Sequence, residues 1–332
     1  MNTLGENTEK FNIEKFIQKI SESSFNGEIL YNIDLSQKTT MKVGGKAAYF
    51  FIPHTMKAFN EFLVMVKEAR VPFFIVGGGS NLVVGDEGIA IPVVSTEKLK
   101  AISCEIQNDS FLLSCEAGVT IEEVTQFCIE NALTGFEYFA GLPGTIGGAL
   151  YMNARCYEHS ISELVQSVVY TDVLQNEYEE IYIKNEDDWG YKMSPFQKIG
   201  KIVLAGSFLV QRGNKSEIQQ KSNAYIQDRK DKGHFRFPSA GSVFKNNHLY
   251  GKSSGKIIDE LGFKGMKCGG AEVAPWHGNF IINSGNAQAC DIQNLVFSII
   301  EKVQEKTNFI LEPEIIFTDI IVERIKKELF SE

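Results

Sequence analysis

The sequence lacks the features typical of membrane proteins, of disulfide-bonded secreted proteins and of zinc proteins. No stretch reaches the ~18 apolar residues of a membrane-spanning helix, and the polar N-terminus has no basic start followed by an apolar run. The six cysteines are scattered without a C-x-x-C pair, which argues against a zinc site and a disulfide framework. We therefore expect a cytoplasmic protein with no membrane association, no metal site and buried free thiols.

Positive charge is also scarce overall. The formal net charge of -9 disfavours non-specific binding of nucleic acid, and there is no low-complexity tract or internal repeat. Against this background, residues 229 to 267 contain nine Lys or Arg and three Asp or Glu. Such a segment is either a solvated face or one wall of a pocket for a pyrophosphate-bearing ligand.

A chain of 332 residues is long enough for two or three compact units, each with its own core. Periodicity, turn residues and a T-x-x-E capping box at Thr120 predict an α+β fold. The predicted helices cover about residues 11–22, 55–69, 121–131, 217–230, 254–261 and 292–303. The predicted strands include residues 72–76, 82–84, 279–283 and 310–317, with further strand signals from about 150 to 211. We divide the chain into units 1–97, 98–212 and 213–332.

Two glycine-rich loops stand out, residues 77–81 and 140–149. The first fails the dinucleotide fingerprint, because Leu82 occupies the third glycine position and a strand follows. Residues 251–253 fail as a phosphate loop, because Asn246 stands where its first glycine belongs. Each loop alone is most simply a structural turn. If both face one groove, their N–H groups could bind the pyrophosphate of a large extended cofactor.

Two polar residues lie in apolar surroundings. Ser242 is flanked by a glycine and a valine, which is usual for a turn residue, and no G-x-S-x-G elbow or identifiable histidine partner supports hydrolase chemistry. A serine that donates a proton would need neighbours that resupply it. Glu314 lies in an apolar β-prone run, either facing water at a sheet edge or buried with a partner or a catalytic role.

Taken together, these segments resemble the UDP-N-acetylenolpyruvoylglucosamine reductase family. The resemblance covers about residues 30 to 320 and rests on several motifs in the family's order. They are T-T-M-K-V-G-G-K-A, V-G-G-G-S-N-L-V-V, A-G-L-P-G-T-I-G-G-A-L-Y-M-N-A, G-Y-K-M-S, P-S-A-G-S-V-F-K-N, H-G-N-F-I-I-N and L-E-P-E-I. The fold that the resemblance implies is a two-lobed FAD-binding unit of the vanillyl-alcohol-oxidase (PCMH) type, followed by a C-terminal α+β substrate-binding domain.

The resemblance implies that the protein, with non-covalent FAD and with NADPH as hydride donor, reduces the enolpyruvyl ether of UDP-N-acetylglucosamine to UDP-N-acetylmuramate, for peptidoglycan synthesis. We also expect a monomer. Ser242 falls on the proton donor, and Lys192 and Glu314 on the residues that stabilise the reacting carboxylate. The implied FAD-binding residues are Gly77, Gly78, Gly79, Ser80, Asn81, Gly141, Pro143, Gly144, Thr145, Gly147, Gly148, Ala149 and Asn153. The implied substrate-binding residues are Tyr191, Lys232, Lys245, Asn246 and His277.

The sequence departs from the family pattern at three places. Lys192 replaces an arginine, which keeps the charge but loses bidentate carboxylate geometry, and Arg155-Cys156 stands where small residues are usual. Too few positions separate Lys192 from Ser242 for the tyrosine-bearing insertion of one subgroup, so the chain resembles the shorter subgroup. Two alternatives stay open: another flavin oxidoreductase acting on a small alcohol or lactone, and a nucleotide-sugar-binding protein with weakened catalysis.

Overall fold

The computed structural model describes residues 13–330, and within them eight α-helices pack on three main β-sheets. The helices are α1 (Ile13–Ser21), α2 (Met56–Glu68), α3 (Ile121–Glu130), α4 (Ile146–Tyr151), α5 (Lys215–Asp231), α6 (Ser254–Glu260), α7 (Ala289–Thr307) and α8 (Thr318–Phe330). The strands are β1 (Gly27–Asp34), β2 (Lys46–Pro53), β3 (Phe74–Val76), β4 (Leu82–Val83), β5 (Val93–Ser95), β6 (Ile102–Gln107), β7 (Ser110–Glu116), β8 (Leu133–Thr134), β9 (Arg155–Cys156), β10 (His159–Ser160), β11 (Val165–Asp172), β12 (Glu177–Ile183), β13 (Lys201–Arg212), β14 (Ser239–Ser242), β15 (Lys267–Cys268), β16 (Ala271–Val273), β17 (Phe280–Asn283) and β18 (Ile316–Phe317).

The first sheet has the order β1-β2-β5-β3, in which β1 and β2 are antiparallel and the other neighbours are parallel. Helices α1 and α2 cover it through an aromatic core. Phe51 of β2 lies between Phe16 of α1 and Phe62 of α2, with ring centroids 5.7 and 4.9 Å away. All three rings are fully buried, so the hydrophobic effect fixes both helices on this face.

The second sheet is antiparallel, with the order β12-β11-β13-β7-β6 and β8 beside β13. Its core receives apolar residues of α3 and α4, including Val124 and Leu150. The third sheet, β14-β17-β16-β15, is covered by α6 and α7 and has its own core. Each of these sheets lies within one of the three units proposed from the sequence.

The capping-box prediction at Thr120 is confirmed. The Thr120 hydroxyl accepts a hydrogen bond from the Glu123 N–H, and the Glu123 carboxylate accepts one from the Thr120 N–H at 2.7 Å. Predicted helices near residues 55–69, 217–230 and 254–261 correspond to α2, α5 and α6. Of the predicted helix at 11–22, residues 11 and 12 lie outside the described residues, and the rest corresponds to α1.

Four expectations are wrong. The helix around Ile292 is not the last one, because α8 follows it, and the run 310–317 forms only the two-residue strand β18. The second glycine-rich loop contains a short helix, α4, that the turn signals did not indicate. The cysteines are all free, but Cys290 is exposed, and Cys104 and Cys268 are only partly buried.

The C-terminal segment returns from the third unit to the first. Strand β18 pairs in parallel with β4, directly after the first glycine-rich loop, and Ile325 of α8 is buried in the core beneath the first sheet. Within residues 13–330, no helix combines the length and apolar character needed to cross a bilayer. The same residues contain no cluster of three or more His, Cys, Asp or Glu side chains suited to hold a metal ion.

Candidate functional site

The two glycine-rich loops pack directly against each other. A Cβ added to Gly78 would lie 2.8 Å from the Gly144 Cα, and one added to Gly77 would lie 2.9 Å from the Thr145 Oγ1. In the reverse direction, a Cβ on Gly144 would lie 2.7 Å from the Ser80 Oγ. Gly78 faces backbone atoms, so a side chain there would displace the Gly144 main chain, and Gly144 has φ +115°, a conformation that favours glycine.

A cavity of about 1190 Å³ opens at this contact and is bordered by all three units. That is larger than the ~300–1,000 Å³ of an ordinary small-molecule pocket, and it suits an extended dinucleotide. The lining includes most of the predicted cofactor residues. They are Gly77, Gly78, Gly79, Ser80, Asn81, Pro143, Gly144, Thr145, Gly147, Gly148 and Ala149.

Two predicted cofactor residues do not line the cavity. Gly141 has φ +76°, a conformation that favours glycine, and packs on the Arg229 side chain. Asn153 is buried, and its side-chain amide joins two neighbouring segments. It donates to the Gly190 carbonyl at 2.7 Å and accepts from the Ser162 N–H. Both positions support the cavity wall from behind.

Helix α4 begins inside the second loop because of its glycines. A Cβ on Gly147 would lie 2.8 Å from the Ala117 Cβ, so glycine lets α4 approach the end of β7. Thr145 is the N-cap, and the Ile146 and Gly147 N–H groups donate to backbone carbonyls of Val119 and Ala117. These bonds fix the second loop to the second sheet.

Asn81 joins the first loop to the C-terminal segment. Its side-chain amide donates to the Glu314 carbonyl at 3.0 Å, and its own carbonyl accepts from the Ile316 N–H at 2.9 Å. These bonds align the first loop with the C-terminal segment, and the alignment continues in the parallel pairing of β4 with β18.

Ser242 and Glu314 are brought to the same cavity by backbone pairing. The Glu314 N–H donates to the Val243 carbonyl at 2.7 Å, and the Lys245 N–H donates to the Glu312 carbonyl at 2.9 Å. Both Ser242 and Glu314 line the cavity. Next to the serine, Gly241 has φ +76° and nothing within 4 Å of an added Cβ, so this backbone borders open space.

Lys192 and Glu314 form an ion pair at the cavity wall. The Lys192 Nζ lies 2.6 Å from the Glu314 Oε1, and their side chains are 14% and 12% exposed. The interpretation of Glu314 as a water-facing edge residue is therefore wrong. Lys192 has φ +56° in a tight turn closed by hydrogen bonds between Gly190 and Met193, a strained backbone for lysine.

Three of the predicted substrate residues, Lys232, Asn246 and His277, line the cavity. The other two do not. Lys245 pairs with Glu312 at 2.5 Å, and the Tyr191 hydroxyl accepts a hydrogen bond from the Asn246 N–H at 3.2 Å. Tyr191 therefore adjoins the lining through Asn246.

Arg229 is a lining residue that the sequence interpretation missed. Its side chain lies on α5 and is buried, yet its hydrogen bonds go to the Ala140 carbonyl at 3.1 Å and the Cys156 thiol at 3.0 Å. A buried guanidinium is costly without an anion, so its place beside the second loop suits an anionic ligand. The only signal in the sequence was the basic segment that begins at this residue.

Two histidines stand at the cavity wall in neutral form. Burial lowers the pKa of His234 to about 4, with smaller contributions from the charges of Arg229, His277 and Lys232, while Asp228 opposes the shift. Burial likewise lowers the pKa of His277, whose ring centroid lies 6.0 Å from that of His234. The wall thus carries unprotonated imidazoles at neutral pH.

Family models match both parts of this site. Residues 47–177 match an FAD binding domain, and residues 233–318 match the UDP-N-acetylenolpyruvoylglucosamine reductase C-terminal domain. The reductase of Treponema denticola is 43% identical over 304 residues, covering 88% of this chain and 94% of the relative. The chain belongs to the UDP-N-acetylenolpyruvoylglucosamine reductase family.

Other members of the family agree with this assignment. The reductase of Treponema pallidum is 37% identical, with 86% of this chain and 92% of the relative covered. The crystal structure of the Thermus caldophilus reductase is similar with a TM-score of 0.70 and 29% identity, covering 88% of this chain and 98% of that one. The expected α+β fold with an FAD-binding unit and a C-terminal domain is thereby confirmed.

The loop contact gives the first prediction. We expect Gly78→Ala to weaken FAD binding at least tenfold, because the new methyl group would push the Gly144 backbone away and separate the two loops. Titration of apoprotein with FAD, followed by flavin fluorescence, measures the change. Gly190→Ala is the matched control, since the nearest atom to its Cβ is 3.5 Å away. Equal FAD affinity of Gly78→Ala and wild type would contradict the prediction.

The buried histidines give a second prediction, on stability. An unfolded histidine takes up a proton near its ordinary pKa of 6.5, whereas folded His234 stays neutral down to about pH 4. Acidification through this window therefore favours the unfolded state, and the free energy of unfolding should fall from pH 6.5 to about 4. Urea unfolding of His234→Gln should show a shallower fall than wild type. Replacement of the exposed His248 by Gln is the control, and an unchanged slope in His234→Gln would sink the idea.

Proposed function

We propose that this chain reduces UDP-N-acetyl-3-O-(1-carboxyvinyl)-glucosamine to UDP-N-acetylmuramate with NADPH and FAD, a step of peptidoglycan precursor synthesis. One observation carries the proposal. A cavity bordered by two touching glycine-rich loops also holds Ser242 and the Lys192–Glu314 pair, in a chain of this family. The cavity residues fit FAD, because glycines without side chains border the cavity where the two loops touch, so a pyrophosphate could approach the backbone closely.

The reaction adds H⁻ and H⁺ across the vinyl group of the substrate. FAD, when bound, supplies the hydride that it has received from NADPH, and this hydride goes to the terminal vinyl carbon. The electron pair of the double bond then moves toward the carboxylate, and the adjacent carbon becomes basic. Ser242, at the cavity end of β14, is the proposed donor of the proton to that carbon.

The Lys192–Glu314 pair is proposed to hold the reacting carboxylate. Negative charge on that carboxylate grows during hydride addition, and a nearby ammonium group stabilises it most where water is excluded. Lys192 uses one of its three N–H donors on Glu314 and keeps two for a ligand. This retained, partly buried cation argues against the alternative of a weakened binding protein.

The nucleotide end of the substrate is proposed to lie against Lys232, Asn246 and His277. Lys232 is half-exposed and pairs with Asp228 at 2.7 Å, so its ammonium can turn toward a diphosphate. The neutral His277 accepts the Asn279 N–H at Nδ1, so its Nε2–H is left to donate one hydrogen bond to the substrate. We further propose that the protein acts as a cytoplasmic monomer.

Flavin spectroscopy tests the function directly. The purified protein should be yellow, with about one non-covalent FAD, NADPH should bleach the flavin, and the UDP-sugar enol ether should restore the colour under anaerobic conditions. Restoration by oxygen but not by the enol ether would favour another flavin oxidoreductase. Protein that neither binds FAD nor responds to NADPH would refute the proposed function.

The proton-donor assignment has its own test. Ser242→Ala should leave bleaching by NADPH intact and lower re-oxidation by the enol ether at least 100-fold, since general acid catalysis contributes ~10²–10⁴-fold. Stopped-flow measurement of the two half-reactions separates these effects. Ser239→Ala, on the same strand and lining the same cavity, is the control. Wild-type re-oxidation in Ser242→Ala would remove the serine from the mechanism.

A further inference from the structure

Helix α8 borders the same cavity from outside the matched substrate domain. The match to the C-terminal domain ends at residue 318, and α8 runs from Thr318 to Phe330. Three residues of this helix, Ile321, Arg324 and Ile325, nevertheless line the cavity. The helix follows the catalytic segment that contains Glu314, yet it packs beneath the first sheet.

The position of α8 is fixed at its first turn. Thr318 is fully buried, and its hydroxyl accepts a hydrogen bond from the Gly85 N–H at 3.0 Å. Just before it, β18 pairs with β4, and further along Ile325 is 9% exposed in the core that contains Phe74. Backbone pairing, a buried hydroxyl and apolar packing therefore hold the helix against the cavity wall.

One part of the cavity, which we call its arm, is lined by residues of α8 and of the first sheet. Its apolar lining belongs to the core that holds Phe74, Ile199, Ile321 and Ile325, whereas Val243, next to Ser242, belongs to the core of the third unit. FAD consists of a flavin half and an adenosine half joined by a pyrophosphate. If the pyrophosphate binds at the glycine loops and the flavin at Ser242, the side of the cavity next to α8 would hold the adenosine half.

The chemistry of this arm suits a nucleoside. Apolar side chains of β3 and α8 line the cavity and offer a surface for a purine ring. Three cations of the lining, Lys198, Lys201 and Arg324, also border one smaller pocket together, so they lie near one another. The Arg324 guanidinium pairs with Glu328 one turn later at 3.2 Å, which keeps it at the cavity rim. A guanidinium can stack on a purine or bond the ribose and phosphate oxygens.

We propose that α8 is a cofactor-retaining element that contacts the adenosine half of FAD through Ile321 and Arg324. This inference rests on the proposed function only for the identity and direction of the cofactor. With this contact, tight binding of FAD depends on its adenosine half. Helix α8 then serves the cofactor and not the substrate.

The test compares FAD with FMN, which lacks the adenosine half. Ile321→Asn and Arg324→Gln should each raise the Kd for FAD by about tenfold, a loss of ~1.4 kcal/mol, and leave the Kd for FMN unchanged. Flavin fluorescence titration of the apoproteins gives both constants. Ile320→Asn, on the exposed side of α8 and outside the cavity lining, is the control and should bind both flavins as wild type does.

Arg324→Gln guards against a folding artefact, because Arg324 is exposed and its removal leaves the packing of α8 intact. Unchanged FAD affinity in both variants, or an equal loss for FAD and FMN, would overturn the proposal. If FAD affinity falls as expected but the enol ether never re-oxidises the flavin, α8 keeps its assignment and the proposed function fails.

Discussion

The contact between Gly78 and Gly144 is the constraint on which the site depends. It joins two loops of different units with no side chain between Gly78 and Gly144, so the loops meet backbone to backbone. The cavity opens at this contact, and Gly147 in the second loop lets α4 approach the end of β7. An added methyl group on Gly78 would meet backbone atoms of Gly144, and no change of side-chain rotamer could make room for it.

The third unit is positioned by the same loops. Asn81 bonds the Glu314 backbone, and Glu314 in turn bonds Val243 next to Ser242. Glu314, proposed to help hold the carboxylate, and Ser242, the proposed proton donor, are thus positioned by backbone hydrogen bonds that start at the first glycine-rich loop. Apolar packing adds to these bonds, because Ile202 and Leu204 of the second unit share a core with Phe51, and Met41 of the first unit lies in the core of the third.

Local signals in the sequence predicted local structure well. The capping box at Thr120 specified the start of α3, because both of its hydrogen bonds join residues three apart. The resemblance supplied the fold and the identity of the loops, but the direct contact of Gly78 with Gly144 is long-range and has no sequence signature. Helix α8 was missed because its burial comes from the distant first sheet, and Arg229 because a basic residue on a helix usually faces water.

The lysine at position 192 is best understood together with its partner. An arginine fork would engage a carboxylate through two parallel bonds, whereas an ammonium group directs three donors from one point. The Lys192 ammonium group contacts Glu314 at the wall of the cavity. The left-handed backbone of Lys192 helps to set the position of this group. Removing Glu314 would leave a poorly solvated cation, and removing Lys192 would leave a poorly solvated carboxylate. The pair therefore acts as a unit.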